Sequence, residues 1–168
     1  MRQLDTDPVI RARETAFRLL TRREHSRAEL HSKLTARGYG SDVVDNLLAS
    51  LAAEDLVSDH RYAQALVSHR VNTGYGPQRI MMELKDKGVA SEIIDQMLSS
   101  AEVDWDELLR VLHNRKFGIS KAGSFKEWAR RAQYLDRRGF NTDAICSVMG
   151  SWDQATAVRD GSDVDINA

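Results

Sequence analysis

One short pattern occurs three times in this chain: a basic residue, a glycine, an apolar residue and then a run with helical periodicity. The pattern surrounds Gly38, Gly88 and Gly139, which are 50 and 51 residues apart. Three further columns keep the same spacing without gaps: Leu34, Leu84, Leu135; Val44, Ile94, Ile145; and Leu48, Leu98, Met149. A fixed period of this length is typical of tandem structural repeats. We therefore expect three copies of one folding unit.

Each of the three glycines is expected to end a helix. A helix often closes with a residue in the left-handed conformation, where glycine alone avoids a clash of its Cβ atom. A cation in the last turn suits the helix dipole, and an apolar residue after the glycine packs back onto the helix. The triplets Arg37-Gly38-Tyr39, Lys87-Gly88-Val89 and Arg138-Gly139-Phe140 all fit this description. We interpret them as helix caps, not as ligand-binding glycines.

A helix is predicted before and after each glycine, and a third helix leads each unit. Three pairs have capping-box spacing at helix starts: Ser26 with Glu29, Asp104 with Glu107, and Ser124 with Glu127. Ser58 can cap a further helix, and Pro77 suits a first helical turn. Apolar residues then recur at helical spacing, and the last such stripe consists of Ile145, Val148, Met149 and Trp152.

The prediction is an all-α protein with three tandem three-helix repeats in an extended, curved array. The repeats are expected at residues 9–56, 57–102 and 103–152. The acidic tail at residues 153–168 carries no clear stripe, and we expect it to be disordered. Only two prolines, 7% aromatic residues and 29% charged residues also favour a helical class over a sheet protein.

The compartment is expected to be the cytoplasm. Cys146 is the only cysteine, so an internal disulfide is impossible and a reducing environment fits. No apolar stretch approaches the roughly 20 residues that span a bilayer, and the segment MRQLDTDPVI is too polar for a signal peptide.

The basic residues are strongly segregated along the chain. Residues 39–60, 88–109 and 139–158 contain no Lys or Arg but hold 13 of the 25 acidic residues. The last helix of each unit is therefore acidic or neutral, and the first two helices are basic. A helix-turn-helix protein reads the major groove with its last helix, which needs cations or amides beside the phosphates. The charge pattern therefore excludes sequence-specific DNA reading of this kind, although the cationic helices suit phosphates or an acidic protein. The alternative is that these charges form solvated helix faces with i, i+4 pairs.

Signals for catalysis or metal binding are absent from the sequence. The five histidines do not fall at ligand spacings, and Cys146 has no cysteine partner. The glycines of TGYGPQR (residues 73–79) lack the Lys-Ser/Thr that a phosphate-binding loop requires. We see no nucleophile with a base beside it, so we predict no enzyme activity, no metal and no cofactor.

Residues 11–152 resemble the RecX family of bacterial regulatory proteins. The resemblance rests on HSRAELHSKLTARGY, on LVSDHRYAQALVSHRVNTGYGPQRIMMELKDKGV and on the following ASEIIDQML. The middle repeat is the most specific part, and the third repeat is looser. The most specific positions are Asp59, Arg61, Tyr62, Ala63, Arg70, Gly74, Tyr75, Gly76, Pro77, Arg79, Ile80, Glu83, Leu84 and Gly88.

The resemblance implies a regulator of the RecA recombinase that acts in DNA repair, homologous recombination and the SOS response. Such a protein binds RecA and its filament on single-stranded DNA, lies in the filament groove and restrains ATPase, co-protease and strand-exchange activities. Binding to single-stranded DNA itself would be weak, and we expect a monomer. Two alternatives stay open: a general sequence-independent nucleic-acid-binding module, and a helical-repeat adaptor for a different protein.

For contacts with RecA or DNA we predict the basic, non-core positions of the leading and second helices, together with a tyrosine in a connector. These candidates are Arg18, Arg22, Arg61, Arg70, Arg79, Lys85, Lys87 and Tyr75. The alternative is that Arg61 and Arg70 only bridge helices and that Tyr75 packs inside.

Overall fold

The computed structural model describes residues 7–152, and within that range the protein contains helices and no strand. The helices are α1 (Pro8–Leu20), α2 (Arg27–Thr35), α3 (Ser41–Ala53), α4 (Asp59–Asn72), α5 (Pro77–Asp86), α6 (Ser91–Ser100), α7 (Trp105–Phe117), α8 (Phe125–Arg137) and α9 (Thr142–Met149). The predicted all-α class is confirmed. Residues 153–168, for which the sequence predicts disorder, lie outside the described residues.

The helix starts use the predicted capping residues. The side chains of Ser26, Asp104 and Ser124 each accept a hydrogen bond from the backbone N–H three residues further on, at 3.1, 2.9 and 3.3 Å. Such a bond satisfies one of the donors that the first helical turn leaves unpaired. Ser58 accepts in the same way from the Arg61 N–H at 3.3 Å, and Pro77 is the first residue of α5.

All three repeated glycines end their helices in the left-handed conformation, as predicted. Their φ angles are +88° at Gly38, +71° at Gly88 and +93° at Gly139. In each case the N–H of the following apolar residue returns to the carbonyl of the repeated leucine five residues earlier. These bonds are Tyr39 N to Leu34 O at 3.4 Å, Val89 N to Leu84 O at 3.1 Å and Phe140 N to Leu135 O at 3.3 Å. The repeated leucine, glycine and apolar residue therefore form one hydrogen-bonded helix ending.

The described part of the chain divides into two compact units. The first unit comprises residues 7–69 and 81–101, and the second comprises residues 70–80 and 102–152. Both boundaries near the middle of the chain fall inside helices, since α4 and α5 each contribute residues to both units. The repeat boundaries at 9–56, 57–102 and 103–152 and the extended, curved shape stay predictions.

Each unit has a hydrophobic core that contains the residues of the repeated columns. In the first unit, Leu34, Val44 and Leu48 are buried between α1, α2 and α3. In the second unit, Leu135 and Ile145 are buried with residues of α7. The columns that align in sequence therefore mark the residues whose removal from water stabilises each three-helix packing.

The last predicted stripe differs from the structure. α9 ends at Met149, because Gly150 adopts a φ of +76° and ends the helix, so Trp152 does not continue it. The side chain of Trp152 instead contacts the ring of Phe125, with ring centroids 5.7 Å apart. The expectation of one helix from Ile145 through Trp152 was wrong.

Candidate functional site

Four of the eight predicted contact residues are exposed cations. Arg18 lies in the last turn of α1, where its Nη2 atom donates to Thr15 Oγ1 at 3.2 Å, and Arg22 follows the end of that helix. Arg79 lies in the first turn of α5. Lys85 lies in the last turn of the same helix, where a positive charge suits the helix dipole. These four side chains present charge directly to solvent and are accessible to an anionic partner.

Arg61 is held by two carboxylates inside the first unit. Its Nε atom donates to Glu24 at 2.8 Å and its Nη1 atom donates to Asp55 at 2.8 Å. Its Nη2 atom also donates to the backbone carbonyl of Asp55, a residue with a φ of +53°. Donation to Glu24 and Asp55 raises the pKa of the Arg61 guanidinium. Arg61 therefore bridges the start of α4 to the turns before α2 and after α3, as the alternative interpretation expected.

Lys87 belongs to a basic cluster around one buried carboxylate in the first unit. Only 8% of the Glu29 side chain is exposed, and it pairs with Arg23 at 2.6 Å, Lys33 at 3.2 Å and Lys87 at 3.9 Å. Burial raises the pKa of Glu29, but hydrogen bonds from Arg23 and Lys33 outweigh burial and lower the pKa to about 2. The cluster keeps an excess of positive charge, because three cations share one acid.

The same region contains a close contact between a helix start and a glycine turn. Ser26 Oγ donates to the carbonyl of Lys87 at 2.6 Å while it caps α2. A Cβ atom added to Gly88 would lie 2.6 Å from the Cβ atom of Ala28. Gly88 is therefore needed both for its left-handed backbone and for the approach of α2. We call this contact, formed by Ser26, Ala28, Lys87 and Gly88, the first joint.

Tyr75 contacts two guanidinium groups in the second unit. Arg70 stands 5.1 Å and Arg138 stands 4.8 Å from the centre of its ring. The Nη1 atom of Arg138 also donates to the carbonyl of Thr73 at 3.0 Å. Cations over an aromatic face stabilise a structure by about 0.5–2 kcal/mol each. Tyr75 is half-buried, so its contacts with the two arginines belong to the packing of the second unit, and part of the residue stays accessible to solvent.

The second unit repeats the geometry of the first joint. The N–H of Gly76 donates to the carbonyl of Arg138 at 2.7 Å, and the N–H of Gln78 donates to the carbonyl of Gly139 at 3.1 Å. A Cβ atom added to Gly139 would overlap the backbone of Arg79. Gly76 is 50 residues after Ser26 and Arg138 is 51 residues after Lys87, so the bonded positions are equivalent. We call this contact, formed by Gly76, Gln78, Arg79, Arg138 and Gly139, the second joint.

The structure brings only some of the predicted residues together. Arg70 and Tyr75 are in contact, and Arg79 contributes its backbone to the second joint beside them. Sequence reasoning missed Arg138, which touches Tyr75, and Glu29, which gathers the cations around Lys87. The signal for Arg138 was present, because it is the third member of the basic column that includes Lys87.

The charge separation seen along the sequence is only partial in space. Two acids at the end of α3 pair with cations of other helices: Glu54 with Arg13 at 2.6 Å and Asp55 with Arg61 at 2.8 Å. Hydrogen bonds from Arg13 and Ser50 lower the pKa of Glu54. These acids lie next to arginines in the folded first unit, although they stand apart from them in sequence.

Neither a metal centre nor a membrane helix is found among residues 7–152. No three side chains of His, Cys, Asp or Glu converge there in a way that could hold a metal ion. The helices described run from 8 to 14 residues, and none combines the length and apolar character needed to cross a bilayer.

Three family models match the chain in tandem order. Residues 12–51 match the first three-helix domain of RecX, residues 58–98 match the second, and residues 102–149 match the third. The predicted succession of three three-helix repeats is thereby confirmed. Each joint connects residues of neighbouring domains, the first domain with the second and the second with the third.

Known proteins of similar length match nearly the whole chain. The Regulatory protein RecX of Halorhodospira halophila is 42% identical over 142 residues, which cover 84% of this chain and 88% of that protein. The Regulatory protein RecX of Ectopseudomonas mendocina is 38% identical over 148 residues, covering 88% of this chain and 99% of the relative. The crystal structure of RecX from Lactobacillus salivarius shares the fold with a TM-score of 0.71 at 23% identity, covering 88% of this chain and 98% of that one. The chain belongs to the RecX family of regulatory proteins, and the resemblance seen in its residues is confirmed.

Proposed function

We propose that this protein binds the RecA recombinase and the filament that RecA forms on single-stranded DNA. It restrains the ATPase, co-protease and strand-exchange activities of that filament by lying in its groove. The observation that carries the proposal is the match of all three RecX domains in order along one chain. A regulatory role is common to the named relatives, and the partner and the inhibited activities are the part that we add.

The proposed mechanism is steric and allosteric and involves no chemistry by the protein itself. A chain of three similar domains can make weak contacts on successive subunits of a helical partner, and such contacts combine as avidity. Occupying the groove blocks the entry of a second DNA molecule or of a client repressor. Bridging adjacent subunits also holds their interfaces in a less active geometry. We expect the protein to act as a monomer in the cytoplasm.

The exposed cations are the stronger candidates for the contact surface. Arg79 and Lys85 are exposed on α5, whereas Arg61 already donates to two carboxylates. A new contact by Arg61 would first have to break those bonds, which offsets most of what the new contact contributes. Exposed cations lose less on binding, and their attraction to phosphates or acidic side chains weakens with added salt.

The test is RecA-driven ATP hydrolysis on single-stranded DNA, titrated with this protein at several salt concentrations. The wild-type protein should inhibit hydrolysis, and the double variant Arg79→Glu, Lys85→Glu should inhibit about tenfold less at low salt, because two repulsive contacts replace two attractive ones. A matched control is Arg27→Glu, Arg37→Glu, which makes the same change of charge at two exposed arginines, one at the first residue of α2 and one just after its end. Full inhibition by a folded Arg79→Glu, Lys85→Glu variant would refute the contact assignment.

A sequence-independent nucleic-acid-binding module remains the second candidate function. The alternation of guanidinium and aromatic groups at Arg70, Tyr75 and Arg138 favours it, since such groups suit phosphates and bases. Binding to single-stranded DNA at physiological salt, without capture of RecA by the immobilised protein, would support this alternative.

A further inference from the structure

The third three-helix domain carries the densest positive charge of the chain. Residues 110–138, from the middle of α7 to just beyond α8, contain nine Lys and Arg residues against two acids. The contact residues predicted from sequence all lie before this stretch. A net positive segment of this size attracts an anionic partner over several ångströms.

An exposed aromatic group lies within this basic stretch. The rings of Phe125 and Trp128 are nearly parallel, with an interplanar angle of 12° and centroids 6.3 Å apart. Trp152 meets Phe125 at an inclined angle with centroids 5.7 Å apart. Phe125 is 58% exposed, so its ring is not accounted for by the core. Exposed aromatic faces among cations are the surfaces on which unpaired nucleobases stack.

Trp128 connects the aromatic group to a cavity of about 550 Å³ in the second unit. Its Nε1 atom donates to the carbonyl of Gly150 at 3.0 Å, which fixes the orientation of the indole ring. Three cations, Arg110, Lys121 and Arg131, line the same cavity, and none of the residues between 7 and 152 that line it is Asp or Glu. A pocket of this volume accommodates a nucleotide-sized group.

Arg131 places a fixed positive charge in the wall of this cavity. Only 4% of the residue is exposed. Its guanidinium donates to the carbonyl of Ser120 at 2.8 Å and to Glu127 at 2.6 Å, while the Nε atom has no hydrogen-bond partner among residues 7–152. Because the Nε atom is itself buried, Arg131 contributes positive charge to the cavity wall and not a donor that a ligand could reach.

Acids pair with two of the three cations that line the cavity. Glu127 pairs with Arg131, and Glu107 pairs with Arg110 in an exposed ion pair. Lys121 is exposed at the cavity. An exposed ion pair contributes little in water and is readily exchanged. Lys121 and Arg110 are therefore available to bind a phosphate, Arg110 by exchanging its exposed ion pair. Arg131 adds a fixed positive charge to the cavity wall.

We propose that the cavity and the aromatic group form one site for an unpaired nucleotide of a single-stranded nucleic acid. The base stacks on Phe125, and the phosphate is held by Arg110 and Lys121. This deepens the proposed function, which includes weak binding to single strands, but the site can be tested without any recombinase. The aromatic group distinguishes a nucleic acid from an acidic peptide, because acidic side chains gain nothing from an exposed ring face.

The first test is the affinity of the full chain for a fluorescein-labelled oligo(dT), measured by anisotropy in the absence of RecA. The oligonucleotide should exceed the roughly 16 nucleotides that large single-strand sites cover. Phe125→Ala should weaken binding about tenfold, because one stacked base is lost. Phe125→Trp should keep the wild-type affinity, because it retains an aromatic face. If the surface bound by charge alone, neither substitution at Phe125 would change the affinity. The control is Val111→Ala, another apolar truncation at a 52% exposed position of the same domain.

The second test concerns the phosphate. Lys121→Ala should reduce the slope of log affinity against log salt by about 0.7, the value for one phosphate contact on a single strand. Phe125→Ala should leave that slope unchanged, since stacking releases no counterion. Oligo(dT) and oligo(U) arms distinguish DNA from RNA as the source of the nucleotide, and binding of either one supports the site.

Three results would overturn the inference. The first is binding of oligo(dT) by Phe125→Ala as tightly as by the wild-type protein. The second is displacement of oligo(dT) by poly-glutamate at equal charge concentration. The third is a loss of affinity in Val111→Ala as large as that in Phe125→Ala. Failure of the protein to inhibit RecA would contradict the proposed function and leave this inference standing. If the protein inhibits RecA but does not bind oligo(dT), the proposed function stands and this inference is contradicted.

Discussion

The two joints use the same acceptor with different donors. In the first joint the carbonyl of Lys87 accepts from the side chain of Ser26, and in the second joint the equivalent carbonyl of Arg138 accepts from the backbone of Gly76. The first joint lies beside ion pairs around Glu29, and the second lies beside cations stacked on a tyrosine ring. One geometry is therefore stabilised by two kinds of chemistry, and only the first kind depends on the ionisation of a carboxylate.

The difference teaches which features of a repeat are fixed by backbone geometry and which are free to vary. The glycine turn is common to both joints, because a side chain at Gly88 or Gly139 would overlap the neighbouring helix start. Gly38 shares the left-handed conformation, but a Cβ atom there would meet no atom of residues 7–152 within 4 Å. Within these residues the first domain thus has the same turn without a helix packed against it, and it serves as an internal reference.

Gly139→Ala should have the largest effect on stability. The new Cβ atom adds left-handed strain of about 1–2 kcal/mol and overlaps the backbone of Arg79, which cannot move away as a side chain could. We expect a loss of about 3 kcal/mol in the free energy of unfolding. Gly38→Ala should cost about 1 kcal/mol, since only the strain applies. Urea unfolding of both variants measures the contrast, and equal losses would mean that the close approach in the second joint contributes nothing.

Glu29→Gln should reveal the dependence of the first joint on pH. The pKa of Glu29 is about 2 in the folded protein against an ordinary value of 4.5. A lowered folded pKa stabilises the protein above the unfolded pKa, and that stability is lost as pH falls from about 4.5 towards 2.

We expect Glu29→Gln to lose about 2–3 kcal/mol at pH 7 and about 1 kcal/mol at pH 3. Glu92→Gln, at an exposed position of α6, should lose almost nothing at either pH. Urea unfolding at the two pH values measures both. A pH-independent loss for Glu29→Gln would show that its packing, and not its charge, stabilises the joint.

Ser26→Ala should separate the bond across the first joint from ordinary helix capping. Both Ser26 and Ser124 cap a helix, but Ser26 also donates to Lys87. We expect Ser26→Ala to cost about 2 kcal/mol and Ser124→Ala about 1 kcal/mol in thermal unfolding. If the two variants lose the same amount, the Ser26–Lys87 bond adds no net stability to the joint.

Tyr75→Leu should have the smallest effect of the four. Leucine keeps apolar volume but removes the aromatic ring that Arg70 and Arg138 contact. We therefore expect a loss of about 1 kcal/mol in the free energy of unfolding. Tyr75→Phe keeps the face and should remain within about 0.5 kcal/mol of the wild type. Chemical denaturation of both variants decides whether the cations stack on the ring or merely lie near it.

The fold could be predicted from the sequence because its rules are local. The glycine turns depend on backbone conformation at Gly38, Gly88 and Gly139, and the caps depend on residues three positions apart, such as Ser26 and Glu29. Local rules of this kind do not depend on which helix packs where. The end of α9 was not predicted, because the apolar stripe indicates only which face of the helix is buried. It does not reveal that Gly150 ends the helix.

The candidate site was less predictable, because partners distant in sequence decide what a cation does. In the sequence, Arg61 has the pattern of an available basic residue. In the structure it donates a hydrogen bond to Glu24, which lies 37 positions earlier in the chain. The aromatic group at Phe125 and Trp152 brings together residues from two segments that no period relates. The count of cations between residues 110 and 138 was visible in the sequence, but its association with a cavity was not.

The surface at Gly38, which no other part of residues 7–152 covers, has a consequence for how a further domain could be joined to the chain. The first and second three-helix domains each offer a helix start that receives the glycine turn of the following domain, whereas the first domain's own turn meets no helix start in the described part of the chain. A tandem duplication that added one more domain ahead of residue 7 would therefore find a compatible turn already in place. A serine or a glycine at the helix start of such a domain would supply the donor for the connecting bond, as Ser26 and Gly76 do in the two existing joints.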